Sequence, residues 1–183
     1  MSNWIQKTVA GAALATGLAA AMPAHAADIF IRIDGIKGES VDAKHKGEID
    51  VLSWSWGAAQ SSVSTARASG AATGKASTNA LLITKVIDVS SPVLIQTILQ
   101  GKRIPSVVLT VRRSGGRDSG DFIKIQLKDV LVSSIVLGSS AGNTQPTEEV
   151  YFQFASAQYS YSPQKADGTL GAAVSVSTDA TKK

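Results

Sequence analysis

The chain has 183 residues and no cysteine, which excludes disulfides, thiol catalysts and thiolate metal sites. Its length suits a single domain with one continuous hydrophobic core. The formal net charge of +4 is small and spread along the sequence, so the composition does not indicate a nucleic-acid-binding protein.

Residues 1–26 have the three parts of a secretory signal peptide. A short polar beginning contains Lys7 and precedes an apolar run of mostly small residues from Thr8 to Met22. Ala24 and Ala26 then occupy the positions that signal peptidase prefers. The run is too short to span a bilayer and has no amphipathic stripe. We therefore expect cleavage after Ala26, export to the periplasm, and no stable membrane insertion of the chain that remains.

Two early segments alternate as half-buried strands do. In "DIFIRID", residues 28–34, every second residue is isoleucine, and in "EIDVLSWSWG", residues 48–57, Trp54 and Trp56 share one face. Between Gln60 and Asn79 the sequence is almost entirely Ser, Thr, Ala and Gly, which predicts a long loop. Structureless loops of this length inside a compact domain usually have a function.

One segment has the start and stop signals of a helix. Ser91 fits the N-cap, Pro92 fits the first helical position, and Gly101 lies just beyond the expected end. The apolar spacing predicts that one face of this helix is buried. The predicted buried stripe consists of Val93, Leu94, Ile98 and Leu99.

Two of the later predicted strands change phase. In residues 121–137 the apolar positions are odd up to Leu127 and even from Val130, and a similar change separates Phe154 from Ala157. Such a change within one strand indicates a β-bulge, which bends the sheet and lets it turn a corner.

Together these elements predict an all-β fold. Two bends in long strands, a single helix and no alternation of strands with helices are typical of a sheet that curls into a barrel. We expect a small β-barrel of two curled antiparallel sheets with one flanking α-helix over residues 27–168. The signal peptide at 1–26 precedes this domain, and a C-terminal tail at 169–183 follows it.

No motif predicts an enzyme, a cofactor or a metal site. His45 would be the only histidine left after cleavage, which excludes a centre with several histidine ligands. Glu148 and Glu149 alternate to opposite faces of a strand, so they cannot act as an acid and base pair. Ser162 and Lys165 have the spacing of a Ser-x-x-Lys pair, but "ADG" follows at once and ends any helical turn. A serine hydrolase that uses these two residues stays open as a third hypothesis.

Five segments occur together in an order and approximate spacing that resemble one known family. They are "DIFIRIDGIKGES", "HKGEIDVLSWSWG", "DVLVSS", "EEVYFQFA" and "YSPQKADG", which lie between Asp28 and about Gly168. The family is Hcp, the hemolysin-coregulated proteins that form the inner tube of type VI secretion systems. The resemblance implies a non-enzymatic subunit whose homohexameric rings stack into a tube and carry effectors. The implied partners are further copies of the chain, a VgrG-like spike, a contractile sheath and effector proteins.

The resemblance also implies which residues make contacts between subunits. The loop from Gln60 to Asn79 matches the extended loop by which rings of the family contact the next ring. Trp54 and Trp56 match a strand whose tryptophans are core or subunit-contact residues. The candidate subunit and ring contacts are Trp54, Trp56, Ser61, Arg67, Lys75, Tyr159 and Tyr161.

Two features differ from the family pattern and leave an alternative. Typical family members carry no cleavable signal, whereas this chain begins with one, and the Trp-bearing final strand of the family has no aromatic counterpart after Gly168. We expect a secreted protein that leaves through the periplasm if the signal peptide is used. The alternative is a secreted β-sandwich binding module or adhesin subunit, whose exposed aromatic residues contact a sugar or a protein. These residues would be Trp54, Trp56, Tyr159 and Tyr161.

Overall fold

The computed structural model describes residues 27–60, 76–113, 120–139 and 145–179. The predicted signal peptide lies outside these residues. The described strands are β1 (Ala27–Ile33), β2 (Ile49–Asp50), β3 (Ser53–Ser55), β4 (Ala58–Gln60), β5 (Ala76–Thr78), β6 (Leu81–Val86), β7 (Arg103–Arg113), β8 (Asp121–Gly138), β9 (Thr147–Tyr161) and β10 (Val174–Asp179). Helix α1 (Ser90–Leu99) lies between β6 and β7.

The segment that contains β2 and β3 closes the sheet into a barrel. The main sheet is antiparallel in the order β2-β1-β7-β8-β9-β6-β3, and β10 pairs with the second half of β9. The Val51 N–H donates to Ile29 O at 2.9 Å, and the Leu52 N–H donates to Thr84 O at 2.8 Å. The segment therefore pairs with the edge strand β1 through its first part and with the edge strand β6 through its second part. The predicted all-β barrel with one helix is confirmed, and the two predicted curled sheets are one continuous sheet.

A corner runs across the long strands of this barrel. The buried positions change from odd to even between Leu127 and Val130 in β8, and from even to odd between Phe152 and Ala157 in β9, as the sequence predicts. Asp129 has a φ of 51°, and this left-handed conformation breaks the alternation of side chains. The pairing of β8 with both neighbours keeps one register across the corner, and its register shift against β9 lies beyond the corner, between Val132 and Ser134. The irregularity of β8 therefore lies a few residues beyond the phase change from which a bulge is predicted, whereas β9 keeps its register between Phe154 and Ala157, so the bulge predicted there is wrong. At the corner itself, neighbouring strands bend at the same level.

Helix α1 starts earlier than predicted and ends where predicted. It begins at Ser90, and its N-cap residue is Val89, whose side chain makes no capping hydrogen bond. Gly101 follows the helix with a φ of 59° and donates its N–H to Ile98 O at 2.9 Å. In the described part of the chain, no helix has both the length and the apolar character needed to cross a membrane.

The buried stripe of α1 differs from the predicted one. Leu94 is fully buried and Ile98 packs against the core, as expected. Val93 is 39% exposed and Leu99 is 81% exposed, so this half of the prediction is wrong. The inner face instead includes Ser90, Ser91 and Thr97, which are buried polar residues.

The predicted C-terminal tail contains strand β10. Residues Val174–Asp179 pair antiparallel with residues 156–161 of β9 along the whole strand. The sheet therefore continues beyond the predicted domain boundary at Gly168.

Candidate functional site

The paired tryptophans form part of the barrel wall. Trp54 lies on β3 opposite Ile83 of β6 and packs half-buried against the core. Trp56 is also half-buried, and its ring centroid lies 6.1 Å from that of Phe154 and 6.4 Å from that of Tyr159. Its indole Nε1 is buried, and no hydrogen-bond partner for it lies among the described residues. Both side chains therefore pack with one part of the ring and keep another part at the surface.

An exposed apolar strip borders this aromatic cluster. Tyr161 is 38% exposed, and its ring lies edge-on to Phe122 with centroids 6.3 Å apart. Val174 and Val176 of β10 are 71% and 63% exposed and pair with Tyr161 and Tyr159, so these side chains share one face. The two valines are not among the contacts predicted from the sequence, although their alternation with serine is typical of a strand.

The two ends of the long predicted loop pair with each other as a two-stranded ribbon. Ala58 pairs with Thr78 and Gln60 pairs with Ala76, so β4 and β5 form a hairpin stem apart from the main sheet. The prediction of a structureless loop over residues 60–79 is therefore wrong at both ends. The predicted ring contacts Ser61, Arg67 and Lys75 lie outside the described residues.

A buried ion pair joins the helix to the barrel. Lys85 of β6 is fully buried, and its Nζ donates to Glu148 Oε1 of β9 and to Asp88 Oδ1, each at 2.8 Å. Lys85 Nζ also donates to Val86 O at 2.9 Å, and Ser91 Oγ donates to Glu148 Oε1 at 2.8 Å. Glu148 Oε2 is buried, and the described residues offer it no hydrogen bond. This network fixes the first turn of α1 against β6 and β9.

The loop between β1 and β2 covers part of the outer face of the sheet. His45 is 5% exposed and stacks on Phe30 with ring centroids 4.2 Å apart and an interplanar angle of 8°. Its Nδ1 lies 2.9 Å from Glu48 Oε2, and its Nε2 lies 3.3 Å from Asp121 Oδ1. The histidine therefore holds the loop to β1 and β8.

The carboxylate of Asp42 anchors the same loop. It accepts the N–H of Lys44 at 2.8 Å and that of His45 at 3.2 Å, and Arg112 Nη1 donates to its two oxygens at 2.9 and 3.0 Å. The backbone N–H of Lys44 is the largest cause of a lowered pKa at Asp42. The N–H of His45 and the charge of Arg112 also lower this pKa, whereas desolvation raises it.

The structure separates the side chains of both residue pairs that were considered for catalysis. Ser162 and Lys165 lie in an irregular stretch after β9, so the helical turn that would bring their side chains together is not formed. Glu148 is buried and Glu149 is exposed, which confirms that they face opposite ways. Within the described ranges, no group of three or more His, Cys, Asp or Glu residues is placed to hold a metal ion.

Comparison with known proteins gives a consistent result. Residues 30–161 match the family model described as "Type VI secretion system effector, Hcp". Protein hcp1 of Pseudomonas aeruginosa is 46% identical over 143 residues, which cover 78% of this chain and 88% of that protein.

Solved structures agree with the sequence match. Hcp1 from Salmonella typhimurium has a TM-score of 0.68 and 33% identity, covering 84% of this chain and 95% of that chain. A type VI secretion system effector from Yersinia pestis has a TM-score of 0.67 and 34% identity, covering 83% of this chain and 99% of that chain. The barrel, its single helix and the matched residues 30–161 together show that this chain belongs to the Hcp family, which comprises structural proteins of type VI secretion.

Proposed function

We propose that this protein is a non-enzymatic subunit and carrier of type VI secretion, which forms homohexameric rings that stack into a tube and accompany effectors out of the cell. The observation that carries this proposal is the family match, which spans residues 30–161 and so most of the described barrel. The partners in this proposal are further copies of the chain, a VgrG-like spike, a contractile sheath and effector proteins.

The half-buried aromatic cluster supports a role in subunit contacts. Trp56 packs on Tyr159 with one part of its ring and leaves another part accessible, as residues at an interface do. The proposed contacts within a ring are Trp54, Trp56, Tyr159 and Tyr161. The proposed contacts between rings are Ser61, Arg67 and Lys75, in the segment of the sequence between β4 and β5.

If the signal peptide is used, we propose that residues 1–26 are removed during export to the periplasm, a route that is an alternative to assembly of the tube inside the cell. Ala27, which would be the first residue of the processed chain, pairs with Arg113 of β7. In this proposal the barrel domain covers 27–168, and β10 within residues 169–183 adds an edge strand to it.

Secretion by cells with and without the contractile sheath tests the tube function. We expect the protein in the culture medium to fall sharply when the sheath is removed, while a periplasmic marker stays unchanged. Equal amounts in the medium of both strains would contradict the tube function. The mass of the N-terminal peptide tests the route separately, since a terminus at Ala27 supports export through the periplasm and an intact Met1 supports assembly of the tube in the cytoplasm.

A further inference from the structure

Strand β1 is enclosed by the rest of the barrel. All seven of its residues pair antiparallel with β7, and Ala27 lies opposite Arg113 at one end of this pairing. Toward the core, the side chain of Ile31 is fully buried. On the other side of the sheet, Phe30 is 5% exposed because the ring of His45 stacks on it. The strand is therefore covered on both of its faces by residues that lie far apart in the sequence.

The predicted cleavage site leaves no spacer before this strand. The bond to be cut joins Ala26 to Ala27, and Ala27 itself pairs with β7. The buried ring of Phe30 follows Ala27 by three residues, which correspond to about 10 Å of extended chain. A protease takes up the residues on both sides of the bond that it cuts, so cleavage here requires the start of β1 to leave the sheet.

We propose that residues 1–26 can be removed only before β1 docks onto β7, so that folding of the barrel decides whether a chain keeps them. This inference rests on the proposed processing at Ala27. It goes beyond that proposal because it makes the two routes exclusive for any chain that has already folded. A chain that folds with residues 1–26 attached stays intact, and a chain with its terminus at Ala27 was cleaved while β1 was still undocked.

The order of the strands delays this docking during synthesis. Arg113 is made more than eighty residues after its partner Ala27, which takes about 4–16 s at a synthesis rate of about 5–20 residues per second. Strand β2 is made sooner, but it pairs only with Phe30 and Ile31. An isolated pair of strands is marginally stable in water. The first strand therefore stays available for processing until β7 has been made.

Cleavage of the purified chain by signal peptidase tests this inference. The folded chain of residues 1–183 is incubated with the enzyme in detergent micelles, and the mass of the N-terminal peptide reports cleavage. The test variant carries six residues of alternating glycine and serine between Ala27 and Asp28, which add about 20 Å of extended chain. The matched control carries the same insertion after Lys183. We expect the test variant to be cleaved about tenfold faster than the wild type and the control, and all three to have the same melting temperature.

A second measurement needs no variant. The wild-type chain is unfolded in urea and diluted into the enzyme mixture, either directly or after it has refolded. We expect cleaved chains only from the direct dilution, because β1 is then still undocked when the enzyme meets it.

The other outcomes separate this inference from the proposed processing. Equal cleavage of the folded wild type and the test variant would overturn the inference and leave processing at Ala27 intact. A folded test variant that stays intact, beside a wild type that is cleaved on direct dilution, would show that the docked strand is not what protects the bond. A wild type that stays intact even on direct dilution would refute the proposed processing itself.

Discussion

The buried ion pair of Lys85 and Glu148 gives the sharpest prediction for stability. Replacing Lys85 with methionine keeps a long side chain but removes all of its hydrogen bonds. Glu148 and Asp88 would both lose the ammonium group of Lys85. Glu148 would keep only its hydrogen bond from the hydroxyl of Ser91. Because the side chains of Lys85 and Glu148 are both fully buried, water cannot replace the lost contacts.

The expected loss of unfolding free energy follows from this burial. Removing one partner of a buried pair leaves an uncompensated charge and costs about 3–5 kcal/mol of unfolding free energy. Glu148→Gln keeps the shape of the side chain, and Lys85 keeps its hydrogen bond to Asp88. We therefore expect a smaller loss of unfolding free energy, of about 1–3 kcal/mol. The matched control is Glu149→Gln, one residue along β9 and exposed, which should change the free energy by less than about 0.5 kcal/mol.

Denaturant unfolding of residues 27–183 measures these differences. All variants are compared at one protein concentration, because assembly adds to the apparent stability. The unfolding midpoint should fall in the order Glu149→Gln, Glu148→Gln, Lys85→Met, with an unchanged denaturant slope. A variant with both Lys85→Met and Glu148→Gln should lose less unfolding free energy than the sum of the two single losses. If Lys85→Met unfolded with the midpoint of the wild type, the ion pair would not hold the helix to the barrel.

Three further predictions follow from other parts of the barrel. The pKa of Asp42 is lowered, so its charged form stabilises the folded state. Asp42→Asn should therefore have a lower free energy of unfolding than the wild type at neutral pH. This difference should vanish as the pH falls through the lowered pKa of Asp42. Gly38→Ala would place a Cβ against the backbone that leads into β2, so it should lower the melting temperature. Gly57→Ala is the control, because a Cβ there has open space and should leave the melting temperature unchanged. Equal melting temperatures of the two variants would contradict the close approach of Gly38 to the backbone before β2. Trp54 and Trp56 should give blue-shifted fluorescence that does not respond to glycans, and an emission typical of exposed indole would favour the binding-module alternative.

Most of what the sequence predicts about the fold comes from the alternation of side chains along the strands. It placed Glu148 and Glu149 on opposite faces and located the bend between Leu127 and Val130, because strand geometry is local. It could not show that neighbouring strands bend at the same level, since the pairing that keeps the register at Asp129 joins distant residues.

The candidate surfaces were predicted less completely for related reasons. The helix pattern placed Val93 and Leu99 inside, but the inner face is shared with polar residues that bond across the barrel. No periodicity reveals that Ser91 will meet Glu148, which lies 57 residues further along the chain. Val174 was overlooked because a short Val-Ser alternation in a terminal segment is a weak signal until its partner strand is known.

Assembly into rings is the central claim, and native mass spectrometry of residues 27–183 tests it most directly. The measurement is made at micromolar concentration and low ionic strength. The proposed function predicts a dominant species with six times the mass of one chain. A wild-type chain that stays monomeric across the concentration range would contradict the claim.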